Sequence, residues 1–170
     1  SILLAERLVL NCMQRMSGIA TKTHRITKSI EQSGVKLLDT RKTTPGLRYI
    51  EKWAVRIGGG INHRIGLYDM ILIKDNHVDY AGGISQAILA ANNYLKDNNR
   101  DLEIEIEVRN LEELSQVLST GNVQRIMLDN FTPTTIREAI TLVNGQFLIE
   151  VSGGITEENI ENYAIKGVDY

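Results

Sequence analysis

Short apolar runs alternate with amphipathic segments from residue 35 onward, and this alternation constrains the fold more than any other feature. The runs have the length of strands, and the segments between them repeat their apolar residues with the period of a helix. Strands joined by helical crossovers form parallel sheets. We predict strands at 35–39, 70–74, 102–108, 125–129 and 147–152, and helices at 48–57, 84–97, 111–119, 133–143 and 157–166.

The later strand–helix units recur about every twenty residues, a spacing typical of (β/α) barrels. We therefore expect an α/β fold, a (β/α) barrel that is incomplete in this chain. The 170 residues suffice for one domain with a sizeable core. Because a further strand begins at 168–170, we expect residues 1–170 to be a single α/β-barrel domain from a longer protein.

Residues 1–33 are predicted to form an N-terminal helical segment. Leu8, Cys12 and Met16 recur at every fourth position, which places them on one face of a helix. Ser17-Gly18 is expected to break or bend this helix. Cys12 is the single cysteine, which excludes an internal disulfide, and we expect it to be a buried apolar residue.

Composition argues against several classes of partner. The net charge of -2 gives no general attraction to nucleic acid or to an anionic membrane. No apolar run reaches the roughly 18 residues that a membrane-spanning helix needs, and no signal-peptide pattern is present. With a single cysteine, a cytoplasmic location is the simplest expectation.

Cations recur at the ends of the predicted strands between residues 39 and 77. Arg41-Lys42 follows the run at 35–38, Lys74 follows the run at 70–73, and His63-Arg64 lies between them. The carboxyl ends of parallel strands lie at one end of a sheet or barrel, where ligands bind. This cluster suits a small polyanion.

Side-chain alternation places further polar groups at the same end. In each predicted strand one face is apolar and should lie under helices, which leaves Lys74, Glu107, Asp129 and Ser152 as the last inward residues. A polar strand end is common at a surface, but four neighbouring strands with one indicate a site. Glu107 and Asp129 suit either a Mg²⁺ ion that also binds phosphates or an acid–base pair.

Two glycine-rich turns have different interpretations. Ser152-Gly153-Gly154 joins a strand to a helix, and its backbone N–H groups favour an anion such as phosphate. The run at 58–60 matches no phosphate-binding motif and is interpreted as a helix C-cap and loop.

Taken together, these motifs resemble the quinolinate phosphoribosyltransferase family. The matching segments occur in the family's order over nearly the whole chain: Glu6-Arg7, Leu10-Asn11, SGIAT at 17–21, DTRKTTPG at 39–46, HR at 63–64, KDNH at 74–77, EIEV at 105–108, LDNF at 128–131 and SGGI at 152–155. Members of the family have an N-terminal sandwich domain and a C-terminal α/β barrel. The resemblance implies that this chain is the barrel, without the sandwich domain and the last strand.

The resemblance also implies a reaction and its residues. Phosphoribosyl pyrophosphate and quinolinate would give nicotinate mononucleotide, pyrophosphate and CO2, with Lys74, Glu107 and Asp129 as catalytic residues and Mg²⁺ near Glu107 and Asp129, bound directly or through water. Quinolinate would be bound by Arg41, His63, Arg64, Lys74, and Arg7 of a partner subunit, which implies a homodimer or a higher even oligomer. Phosphoribosyl pyrophosphate would be bound by Lys42, Glu107, Asp129, Asn130, Ser152, Gly153 and Gly154, with Thr40 and His77 as further candidates.

Three alternatives stay open at this point. A paralogous barrel protein linked to molybdenum transport resembles the family, but the intact KDNH at 74–77 favours the quinolinate enzyme. A nicotinate-using transferase would need fewer cations than the paired set at 41, 63, 64 and 74. A non-catalytic metabolite-binding barrel would not need Glu107 and Asp129.

Overall fold

The protein is described here from a computed structural model, which describes residues 2–170 with the exception of the side chain of Leu4. The chain divides into two compact units, Ser1–Gly66 and Leu67–Tyr170. The single domain predicted for residues 1–170 stays a prediction. Each unit is described by itself.

The first unit begins with one long helix, α1 (Ile2–Ser29). The break predicted at Ser17-Gly18 was wrong, because the helix runs through both residues without interruption. One interior glycine costs a helix only about 1 kcal/mol, which 28 residues of regular structure absorb. Cys12 is partly exposed rather than buried, so its predicted burial was also wrong.

The second helix, α2 (Arg48–Ile57), packs against α1 and ends at the glycine run. Gly58 lies where a Cβ atom would come within 2.5 Å of the carbonyl oxygen of Ala20. Only glycine permits this close approach to the backbone of α1. The run at 58–60 is therefore a helix end, as predicted, and also a packing contact.

The strand predicted at 35–39 is reduced to a single parallel bridge between Leu38 and Ile61. Ile61 N donates to Leu37 O at 2.8 Å, and Asp39 N donates to Ile61 O at 3.1 Å. Beyond this bridge the Asp39 carboxylate accepts the backbone N–H of His63 at 2.9 Å and the side-chain amide of Asn62 at 2.6 Å, and the ladder does not continue.

The second unit is a parallel four-stranded sheet with the strands in chain order. Its strands and helices alternate, as the sequence predicted: β1 (Ile71–Ile73), α3 (Asp75–Ala81), α4 (Ile84–Asp97), β2 (Ile104–Val108), α5 (Leu111–Thr120), β3 (Arg125–Asp129), α6 (Pro133–Val143), β4 (Leu148–Ser152) and α7 (Ile160–Tyr163). The register pairs Ile73 with Ile106 and Asp129 with Ser152.

Both faces of the sheet are buried. The face predicted to be apolar is covered, with Ile106, Val108 and Leu128 fully buried. Glu105 and Glu107 on the opposite face are buried as well. A carboxylate is seldom buried without a partner. Neighbouring groups must therefore stabilise the two carboxylates on the inward face of β2.

Several element ends differ from the predictions. α3 was not predicted, β2 begins at Ile104 instead of residue 102, and α7 is much shorter than 157–166. The chain makes a turn before α7, in which Thr156 N donates to the side chain of Asn159 at 2.7 Å.

The strand predicted to begin at 168–170 is represented by backbone hydrogen bonds to β4. Asp169 N donates to Ile149 O at 2.9 Å, and Val151 N donates to Tyr170 O at 2.9 Å. Within residues 2–170, no helix is long and apolar enough to cross a membrane.

Candidate active site

The second unit places a cation and a buried carboxylate side by side at the carboxyl ends of its first two strands. Lys74 follows β1 directly and lies level with Glu107 of β2, and its Nζ is 2.8 Å from Glu107 Oε2. The Lys74 side chain is 46% exposed, whereas that of Glu107 is 9% exposed. Glu107 is therefore the anionic partner of Lys74, and the ammonium group stays accessible to a ligand.

Asp129, at the end of β3, is the second carboxylate of this group. Burial raises its pKa above the ordinary value, and the negative charge of Glu107 raises the pKa further. The hydrogen bond from Asn130 and the charge of Lys74 lower it, but they do not outweigh the first two effects. The carboxylates of Glu107 and Asp129 thus repel each other, and a cation bound near both would stabilise their charged forms.

Asn130 and the turn after β4 are in close contact. Asn130 has a left-handed backbone with φ of 57°, its N–H donates to Ser152 O at 2.8 Å, and its Nδ2 donates to Asp129 Oδ2 at 2.6 Å. A Cβ atom on Gly153 would lie 2.3 Å from Asn130 Oδ1. Ser152, Gly153, Asp129 and Asn130, all predicted to bind phosphoribosyl pyrophosphate, therefore lie together, with an exposed Gly154 next to them.

His77 has a structural role that the sequence did not predict. Its Nδ1 accepts a hydrogen bond from Lys74 N at 3.0 Å, which caps the first turn of α3. The contact fixes the backbone of Lys74, and the predicted role of His77 in binding phosphoribosyl pyrophosphate stays a prediction.

In the first unit, the predicted cations follow the two paired segments around the Leu38–Ile61 bridge. Because that pairing is parallel, Arg41-Lys42 and His63-Arg64 leave it at the same end. Arg41 Nε is buried and finds no hydrogen-bond partner in the described part of the chain. Thr40 Oγ1 accepts from Lys42 N at 3.0 Å, so Thr40 shapes the turn.

Four polar residues that the sequence reasoning missed support these segments. Lys52 forms a buried ion pair with Asp39, and Asn62 donates to the same carboxylate at 2.6 Å. Arg48 donates to the carbonyl oxygens of Arg41 and Ile65. The available signal was the density of charge in α2, whose sequence RYIEKWAVRI has Arg48, Glu51 and Lys52 within little more than one turn.

Arg7 lies in α1 and is exposed. Its predicted position in the site of a partner subunit stays a prediction.

The second unit is a parallel α/β sheet with a cation and carboxylates at its strand ends, an arrangement typical of the (β/α)-barrel class. Residues 19–170 match the family model described as quinolinate phosphoribosyl transferase, C-terminal domain. The chain belongs to this family.

Proteins from plants and bacteria are similar to the chain. It is 45% identical to the chloroplastic nicotinate-nucleotide pyrophosphorylase [carboxylating] of Arabidopsis thaliana, with 99% of this chain and 52% of that protein covered. It is 44% identical to the probable enzyme of the same name from Bacillus subtilis, with 100% and 57% covered. The chain thus spans about half the length of the curated relatives it matches.

Solved structures give the same result. The nicotinate-nucleotide pyrophosphorylase from Francisella tularensis superposes with a TM-score of 0.90 at 48% identity, covering 99% of this chain and 58% of that one. This likeness confirms the predicted fold class, a (β/α) barrel that is incomplete in this chain. None of the relatives named here is a molybdenum-linked protein or a binding barrel, so the alternatives gain no support.

Proposed function

We propose that the protein containing this chain transfers the phosphoribosyl group of phosphoribosyl pyrophosphate to quinolinate, with decarboxylation. The observation that carries this proposal is the strand-end group of Lys74, Glu107 and Asp129, in a chain that belongs to the quinolinate phosphoribosyltransferase family. It combines an accessible cation for an acidic substrate with two carboxylates for a cationic centre.

The diacid is proposed to bind to the cations predicted for it. Arg41, His63, Arg64 and Lys74 supply positive charge for two carboxylates, and the buried Nε of Arg41 gains a hydrogen-bond acceptor when an anion binds. We further propose that Arg7 completes the site of a partner subunit, which makes the protein a homodimer or a higher even oligomer.

Phosphoribosyl pyrophosphate is proposed to bind where β3 and β4 end. The backbone N–H groups of the turn at 152–154 suit its phosphate, and Lys42 adds positive charge. The proximity of Glu107 and Asp129 fits a Mg²⁺ ion, held directly or through water. When bound, Mg²⁺ would neutralise charge on the departing pyrophosphate.

The proposed reaction steps follow from the charges that develop on the substrates. The pyridine nitrogen of quinolinate attacks C1 of the ribose as the C1–O bond to pyrophosphate breaks. Positive charge develops on the ribose, and a nearby carboxylate, Glu107 or Asp129, stabilises it. The quaternised ring then accepts the electron pair of the C–C bond as the 2-carboxylate leaves as CO2, and a proton from solvent water then bonds to that carbon. The cations only orient the diacid, so none of them needs to transfer a proton.

A parallel assay tests the proposal. The natural protein that contains this chain is supplied with Mg²⁺ and phosphoribosyl pyrophosphate and with either quinolinate or nicotinate, and CO2 and mononucleotide are measured. Both products from quinolinate alone are expected. Product from nicotinate alone would overturn the diacid assignment, and no product from either would favour a binding protein.

A cytoplasmic location stays a prediction. Some plant relatives carry chloroplastic or mitochondrial names, so location varies among proteins similar to this chain.

A further inference from the structure

We propose that Arg48 and Lys52 of α2 are positioning residues that hold both cation-bearing segments of the first unit in place for the diacid. This inference rests on the function proposed above, which assigns Arg41, His63 and Arg64 to quinolinate. It adds residues that contact the backbone of those segments and not the substrate.

Arg48 connects the two segments to each other. Its Nη2 donates to Arg41 O at 3.2 Å, its Nη1 donates to Ile65 O at 3.0 Å, and its Nε donates to Thr43 Oγ1 at 3.2 Å. A guanidinium group has donors on all three nitrogens in a fixed planar arrangement. One rigid group therefore sets the spacing between a residue next to Lys42 and a residue next to Arg64.

Lys52, one turn further along the same helix, holds His63 on both sides. Its Nζ donates to His63 O at 3.0 Å and forms an ion pair with Asp39. The Asp39 carboxylate in turn accepts from His63 N at 2.9 Å. Both backbone polar groups of His63 are thus bound by one ion pair, and the Lys52 side chain is only 3% exposed.

Stability alone gives a poor account of this arrangement. Desolvation largely offsets the attraction within a buried ion pair, so apolar replacements of both partners are often neutral or stabilising. Every contact of Arg48 and Lys52 reported above ends on a residue of the 39–43 or 63–65 segments. Such an arrangement fixes loop geometry, and diacid recognition depends on that geometry because two carboxylates must meet separate cations.

The test compares Arg48→Gln with Arg56→Gln in the natural protein that contains this chain. Arg56 lies in the last turn of α2 and is exposed, so both variants remove one arginine charge from the same helix. Arg48→Gln is expected to raise the KM for quinolinate about tenfold or more, with a smaller rise for phosphoribosyl pyrophosphate and little change in kcat. Arg56→Gln is expected to leave all three unchanged.

Arg48→Lys provides a second variant. Its single nitrogen cannot bridge both carbonyl oxygens, so a smaller rise in the KM for quinolinate is expected, and this variant replaces Arg48→Gln if the latter does not fold. A quinolinate KM equal to that of the wild type in whichever of these variants folds, with losses only in thermal stability or kcat, overturns the positioning role.

Measuring the wild-type protein distinguishes a failure of this inference from a failure of the proposed function. A wild-type protein that makes no mononucleotide from quinolinate contradicts the proposed function itself. An active wild type with an unchanged KM in a folded variant contradicts only the role of Arg48.

Discussion

The two units hold their charged groups by different means. In the first unit, Arg41 and His63 lie on loops whose backbone is held by side chains of α2 and by Asp39. In the second unit, Glu107 and Asp129 lie on adjacent strands, where the backbone ladder itself fixes their spacing. Loop geometry of the first kind depends on a few side-chain contacts, whereas sheet register depends on many backbone hydrogen bonds. Single substitutions away from the charged groups should therefore disturb the first unit more than the second.

The largest effect on folding is expected from Lys52→Met. The substitution leaves the Asp39 carboxylate, 7% exposed, without its cation, and breaking a buried pair from one side costs about 3–5 kcal/mol. Lys36→Met, which removes an exposed lysine of the same unit, is the control and should cost little. Chemical denaturation measures both. Equal losses in the two variants would show that the buried pair does not hold the loops.

Lys74→Ala is expected to have the next largest effect, in this case on the binding of quinolinate. It removes a proposed ligand of the diacid and leaves Glu107 without its 2.8 Å partner, so the KM for quinolinate should rise on the order of a hundredfold. Lys96→Ala, at an exposed position in the last turn of α4, is the control. Steady-state kinetics with quinolinate varied decides the matter, and an unchanged KM in Lys74→Ala would remove Lys74 from the diacid site.

Gly153→Ala and Gly154→Ala separate a steric contact from backbone strain. Both glycines have positive φ, 96° and 64°, but only at Gly153 would a new Cβ meet a neighbour, Asn130 Oδ1 at 2.3 Å and Asn130 N at 2.7 Å. Gly153→Ala should therefore lose about 1–3 kcal/mol more free energy of unfolding than Gly154→Ala. Similar losses in urea denaturation would mean that Asn130 moves away easily and that the turn is looser than the sheet it follows.

The smallest effect is a shift in the pKa of Asp129. Burial and the charge of Glu107 both favour its protonated form. As the pH is lowered, an activity that needs the Asp129 carboxylate should therefore be lost at a higher pH than if the pKa were that of an ordinary aspartate. Glu107→Gln removes one of these causes, and the pKa of Asp129 should fall. Titration of the carboxyl ¹³C resonance without added Mg²⁺ measures this, and Glu112→Gln at an exposed position of α5 should change nothing. A pKa that stays constant in Glu107→Gln would show that the two carboxylates do not interact.

The difference between the loops of the first unit and the sheet of the second also explains which features could be predicted from the sequence. Period-two alternation identified the strands of the second unit and the inward position of Glu107, because sheet register follows from local pattern. The Leu38–Ile61 bridge was predicted as a full strand, since alternation does not show how many residues a partner segment offers. Helix α3 was missed because its first turn is capped by the ring of His77, a residue that is not a usual capping signal.

Arg48 and Lys52 were missed for a related reason. Charged residues on an amphipathic helix normally face solvent, so the density of charge in α2 was only a weak signal that Arg48 and Lys52 contact other segments. Three of their partners are the backbone carbonyl groups of Arg41, Ile65 and His63, and a carbonyl group, which every residue has, leaves no trace in the sequence. Residues that position a site through the backbone become visible only when the structure is known.

The order of the sheet has a consequence for how the second unit is made. Its strands are hydrogen-bonded in the order β1-β2-β3-β4, and residues 168–170 continue the series beside β4. Each strand therefore finds its neighbour in the strand synthesised just before it, and every pairing closes only the helical crossover that joins the two strands. Such a topology favours fast folding for a parallel sheet and lets the unit form strand by strand as the chain leaves the ribosome.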